Sequence, residues 1–196
     1  MPTGVALRDV REQLFDAADR ILLRAGPSAL TSRAVTAEAG CAKGVLHRHF
    51  TDFDDFLAEL VTARIVEIER RAAALRESAG RGAVVEHLTT ALTDVFGPVT
   101  TAIVGLITFR DELRARLRRD RPTGVPVLAE ATAMIAGYLT AERDLGRIAA
   151  TADVDSLAPM LIGTAHLLFA DRDAGPPSRE AVGGAVSAVV VGVLSG

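Results

Sequence analysis

Residues 30–50 read LTSRAVTAEAGCAKGVLHRHF, and this stretch decides the fold. Thr31 stands where its hydroxyl can accept a hydrogen bond from a free backbone N–H at Ser32–Ala34, which makes it an N-cap. Leu30 before the cap and Val35 four residues after it can close a hydrophobic staple. Ala37 and Ala39 are small enough for close helix contact. Gly40 lies where the first helix has to stop, because glycine enters the left-handed region at little cost. A second helix then starts near Cys41 or Ala42, with Val45, Leu46 and Phe50 apolar and Lys43, His47, Arg48 and His49 polar. So short a helix is unstable alone. It has to be packed through Leu46 and Phe50, which leaves its basic residues outside. The pair reads as a helix-turn-helix, whose second helix can enter a DNA major groove.

The stretch resembles the DNA-binding segment of the TetR-type (tetracycline repressor-like) transcriptional regulators, whose pattern runs roughly T-x-R-x-I-A-x-x-A-G-V-S-x-G-x-L-Y-x-H-F. Thr31, Arg33, Val35, Ala39, Gly40, Gly44, Leu46, His49 and Phe50 stand in the same register. The resemblance also covers the rest of the chain in length and helix layout, there without a motif. It implies that Arg33, Lys43, His47 and His49 touch the DNA backbone or base edges. Ala42, Val45 and Arg48 lie on or beside the exposed face of the second helix, and Thr31 and Gly44 complete the expected DNA-binding set. Arg48 can pair with guanine, and Val45 can meet a thymine methyl. The chain departs from the pattern at four places. Ala42 replaces the usual serine, a cap and phosphate donor. His47 replaces the usual tyrosine and can still donate to a phosphate. Thr36 replaces a smaller residue, and Phe53 stands where a lysine is common.

Composition agrees with a helical DNA reader. Hydrophobic residues make up 49% of the 196 and aromatic ones only 4%, which favours packed helices over a β-sandwich. The formal net charge is −3, so a nucleic-acid site has to be a local patch. Between Thr31 and Phe50 the cations are Arg33, Lys43 and Arg48 against the single acid Glu38, the opposite sign to the whole. The one cysteine, Cys41, rules out a disulfide framework or zinc-finger cluster within one chain. No signal-peptide pattern and no charge-free run of membrane-spanning length is present, so the expected location is cytoplasmic, with no membrane partner.

The helices expected around this centre follow from apolar spacing. Met1–Ala6 reads as a disordered arm, and Leu7–Ala25 as a first helix ended by Gly26-Pro27, with Arg8 and Arg11 placed to reach a phosphate or to stay solvated. Asp52 caps a long connecting helix from Phe53 to about Leu75, with Asp55 at its third position. Ala83–Phe96 is a fifth helix. Thr100–Arg119 is a sixth, whose arginines (Arg110, Arg114, Arg116, Arg118, Arg119) are a second DNA patch or, more readily, cations gathered at a helix C-terminus. Val127–Leu145 is a seventh, Val154–Ala170 an eighth after Asp153, and Arg179–Leu194 a ninth capped by Ser178. The last two are apolar around much of their circumference and rich in small residues, as suits a partner surface.

The expected architecture is therefore all-α, with about nine helices: a helix-turn-helix domain over residues 1–50 and a helical regulatory domain over 51–196. The resemblance implies that the second domain dimerises and binds a small-molecule effector. Residues expected to face its cavity are Phe96, Ile107, Phe109, Met134, Tyr138, Met160, His166 and Phe169. With no tryptophan and few aromatics, the lining is mainly aliphatic, which favours an apolar ligand. Catalysis is not expected: there is no phosphate loop, nucleophile elbow or zinc-protease helix. His47, His49 and Cys41 lack a carboxylate pair to complete a metal set, so neither metal nor cofactor is expected. The reading is a one-component regulator, a repressor that binds a double-stranded DNA operator as a homodimer through its last two helices. The alternative is a small-molecule-binding or interaction protein on the same scaffold with weak or lost DNA binding.

Overall fold

Apolar residues at helical spacing bury themselves on ten α-helices and one 3-10 turn in the computed structural model, which describes residues 4–170 and 175–194, with side chains from residue 10 onward. The contacts divide into two compact units: Met1–Ala63 with Ala102–Thr123, and Arg64–Thr101 with Gly124–Gly196. The division falls inside α4 (Phe53–Glu77) and α6 (Pro98–Phe109), so each of these helices supplies residues to both.

In the first unit, α1 (Gly4–Ala25) buries Leu14, Ala17, Ala18, Ile21 and Leu22 and packs on α2 (Ser32–Glu38) and on the 3-10 turn Pro27–Ala29. Helix α3 (Gly44–His49) follows α2 and buries Leu46, with Phe50 beneath its end. Phe50 meets Phe56 edge-on at 5.1 Å and Phe15 at 6.0 Å, so aromatic contacts from α1 and α4 seat the short helix. Leu113 and Leu117 of α7 (Asp111–Asp120) are buried as well.

In the second unit, α10 (Arg179–Val190) packs on α5 (Val84–Val95) and α9 (Val154–Ala170), and α8 (Leu128–Asp144) packs on α9. One buried polar chain crosses it. Tyr138 donates to Glu142 Oε1 at 2.6 Å, and Glu142, fully buried, also takes the Gly80 N–H at 3.3 Å and faces Arg147 Nη1 at 3.3 Å. The phenol spends its one proton on the carboxylate, so His87 Nδ1, 2.9 Å away, is the donor to Tyr138. Burial, and then the carboxylate it donates to, push the Tyr138 phenol above its ordinary value.

Several boundaries differ from those expected. Helix α1 already includes Gly4–Ala6, while Met1–Thr3 lie outside the described residues. The expected sixth helix is two, α6 and α7, because Arg110 is extended (φ −116°, ψ 101°) between them. Asp111 and Glu112 then start α7 where a helix N-terminus favours acids. The last helix stops at Val190, and Leu194 instead forms an isolated antiparallel bridge with Ile148. Residues 171–174 of the expected 171–177 loop lie outside the described residues.

Candidate nucleic-acid interface

Thr31 caps α2: its Oγ1 accepts from Ala34 N at 3.1 Å. Two bonds close the other end. Cys41 N donates to Thr36 O at 2.9 Å and Gly40 N to Ala37 O at 3.1 Å, with Gly40 at φ 66°. This is the Schellman arrangement, and it needs the left-handed glycine. The turn sends the chain straight into α3, whose start has no side-chain cap. Ala42 has no hydroxyl to offer; only its carbonyl takes part, accepting from Val45 N at 2.9 Å. Ala42→Ser is expected to add an N-cap and raise stability by about 1 kcal/mol, read as a higher urea midpoint at unchanged slope.

Leu46 and Phe50 face inward, and Thr31, Arg33, Ala42, Lys43, Gly44, His47 and Arg48 are exposed, with Val45 and His49 half-buried beside them. Among the described residues, Arg33, Lys43 and Arg48 have no ion pair or side-chain hydrogen bond. The one acid of the stretch is neutralised: Arg24 reaches Glu38 at 2.8 Å and Arg20 reaches it at 2.9 Å. The hydrogen bond from Arg24, and then that from Arg20, hold the Glu38 carboxyl below its usual range. The exposed face therefore carries three uncompensated cations, which suits a phosphate backbone.

Arg11 is not a free phosphate contact. It donates to the His49 carbonyl at 3.2 Å, pairs with Glu59, and lies 4.5 Å over the Phe50 ring, so it fastens the end of α3. The side chain of Arg8 lies outside the described residues. Gln13 Nε2 holds the α2 end through the Ala39 carbonyl at 2.8 Å. Three of the arginines after α6 are engaged: Arg110 with Asp54, Arg114 with Asp111, and Arg116 with Asp52 and Asp55.

The bacterial regulatory proteins of the tetR family match residues 14–60, which contain the whole turn, both of its helices and the start of α4. Residues 14–60 therefore match the DNA-binding segment of that family. No curated protein matches it in sequence. Solved structures match its fold. E. coli NemR in its reduced form superposes with a TM-score of 0.75 at 14% identity, over 95% of this chain and 98% of that one. The regulator FadR of Bacillus subtilis, solved with stearoyl-CoA, gives 0.70 at 19% identity, over 92% and 98%. SmeT, the repressor of the Stenotrophomonas maltophilia multidrug efflux pump SmeDEF, gives 0.66 at 19% identity, over 94% and 90%. The chain thus shares the fold of these structures over nearly its whole length, and no single helix among its described residues is long and apolar enough to cross a membrane.

A cavity of about 250 Å³ in the second unit lies between α4, α5 and α8. Arg71 and Asp94 stand at one end, Ser78 and His87 at the other, and Ala74, Leu75, Ala91 and Met134 between them. Of the residues expected to face a cavity, Met134 lines this one, and Tyr138 touches it only through its hydrogen bond to His87. Phe96, Ile107 and Phe169 are buried in packing; Phe96 stacks on Phe169 at 6.2 Å and lies 6.1 Å from His166. Phe109, the last residue of α6, is 86% exposed, and Met160 on α9 is 55% exposed, so neither lines an enclosed space. Both were expected to face a cavity, but among the described residues no neighbouring element covers them.

Proposed function

We propose that this chain is a TetR-type transcriptional repressor that binds a roughly palindromic operator as a homodimer and leaves it when a small, largely apolar ligand binds. The observation that carries the DNA reading is the recognition face, with Arg33, Lys43 and Arg48 unpaired and Glu38 neutralised. Its test is binding to DNA from around the protein's own gene against random DNA of equal length. The cavity beside Ala74, Leu75, Ala91 and Met134 is the proposed effector site. An enclosed 150 Å³ space takes a benzene ring, so about 250 Å³ suits a molecule of one to two rings. Such a ligand would press on Ala74 and Leu75 of α4, the helix that directly follows the recognition helix. Two recognition helices must reach grooves about 34 Å apart, so a small tilt loses one half-site. The ligand has this effect only by binding the released state more tightly.

Dimerisation is assigned to α9 and α10. Met160, Leu167 and Val191 are exposed there, beside the exposed small residues Gly163, Gly184 and Ala188. Ala188→Asp is expected to convert the dimer to monomer in sedimentation; a variant that stays dimeric places the interface elsewhere. The uncapped start of α3 favours a second reading, a small-molecule-binding protein on this scaffold that has lost DNA binding. That reading expects weak, salt-insensitive DNA binding and full ligand affinity after Arg33→Ala and Lys43→Ala.

A further inference from the structure

The segment that follows the recognition helix is acidic. Asp52, Asp54 and Asp55 form the cap and first turn of α4, and Phe53 occupies the position where the TetR-type pattern has a lysine. Asp52 is three residues beyond His49, a reach of at most about 10 Å, comparable with the screening length of about 8–10 Å at moderate salt. Three bare carboxylates there would oppose a duplex that carries one negative charge per about 1.7 Å of axis.

None of the three is bare. Arg110 donates to Asp54 Oδ1 at 2.8 Å through Nη2 and at 3.2 Å through Nε. Arg116 reaches Asp52 at 2.8 Å and Asp55 at 3.2 Å. The Arg110 guanidinium also lies 5.6 Å over the Phe53 ring, which stacks on Phe56 at 5.6 Å in the aromatic cluster beneath α3. Both arginines come from distant sequence: Arg110 is the extended residue that separates α6 from α7, and Arg116 is on α7.

We propose that Arg110 and Arg116 form an electrostatic mask over the acidic first turn of α4, and that operator affinity depends on this mask being closed. The proposal rests on the DNA-binding reading and adds how that binding is controlled. Displacing the start of α7 uncovers three negative charges beside the recognition helix and repels DNA without altering any residue that touches it. The arginines act as positioning residues, through the carboxylates they cover. The partner they respond to is the phosphate backbone, so the effect is the same for any operator sequence and is screened by salt.

The test uses the full chain and an operator that it selects from a random DNA pool, with affinity read by fluorescence anisotropy. Arg110→Gln with Arg116→Gln is expected to weaken binding about ten- to a hundredfold at about 50 mM salt, and only a few-fold at about 300 mM. Adding Asp52→Asn, Asp54→Asn and Asp55→Asn, which keeps an N-cap at position 52, is expected to bring affinity back to within about threefold of wild type. Loss that persists in the acid-free background makes the arginines direct DNA contacts and overturns the mask, as does wild-type affinity in the double arginine variant. If circular dichroism shows the double arginine variant unfolded, the three Asp→Asn changes alone decide. Affinity equal to or above wild type supports the mask, and lower affinity overturns it. A wild-type chain that selects no DNA at all fails at the earlier step, and the mask falls with the DNA-binding reading.

Discussion

Arg147→Ala is expected to destabilise the chain by about 3 kcal/mol, because breaking a buried ion pair leaves a charge with no counter-ion. Glu142 is fully buried, and Arg147 is the only cation within ion-pair distance of it among the described residues. Two neutral donors remain, the Tyr138 hydroxyl and the Gly80 N–H, which keeps the expected loss at the lower end for such changes. Arg147 also donates to the carbonyls of Arg81 and Gly82, so the turn between α4 and α5 loosens with it. For a chain of this length, about 3 kcal/mol lowers the melting temperature by roughly 6–12 °C. Adding Glu142→Gln separates the two contributions. The neutral amide still accepts from Tyr138 and Gly80, so the double variant is expected to recover most of the loss that belongs to the uncompensated charge. A double variant no more stable than Arg147→Ala would place the whole effect in the turn.

The largest effect on binding is expected from the recognition face. Arg33→Ala and Lys43→Ala each remove an exposed cation with no partner among the described residues, so the fold is expected to change by less than about 0.5 kcal/mol. Each lost phosphate contact lowers the slope of log affinity against log salt by about 0.9, and a dimer loses two contacts per substitution. The double variant is therefore expected to bind every sequence more weakly by a similar factor, with a slope shallower by about 3–4. Arg48→Ala is expected to behave differently, relaxing the choice of one base pair per half-site by about 1–3 kcal/mol if it pairs with guanine. A uniform loss across operator variants would move Arg48 to the phosphate class.

The helix-turn-helix was legible in the sequence because its determinants are local. The Thr31 cap, the Gly40 turn and the inward Leu46 and Phe50 each act within a few residues of chain. The break at Arg110 was harder to read, since neither proline nor glycine marks it; the Asp111-Glu112 pair at the start of an arginine-rich helix was its one signal. The role of Arg11 was open for the same kind of reason, because its partner carbonyl lies 38 residues away. The cavity exposes a different limit. Sequence reasoning favours large and aromatic residues as lining, whereas space opens where small ones, such as Ala74, Ser78 and Ala91, face each other across paired helices. That pairing is a long-range property, and no spacing rule within one helix encodes it.

The proposed function stands on sequence-specific DNA binding by the α2–α3 pair. It is tested most directly by fluorescence anisotropy across a salt series, on DNA from around the protein's own gene and on random DNA of equal length, followed by selection from a random pool. The expected result is a steep fall of affinity with salt together with a preference of about 10³ or more for the native or selected sequence. Weak binding to both fragments, with little salt dependence and no sequence enriched from the pool, would contradict it and leave a ligand-binding protein on a regulator's scaffold.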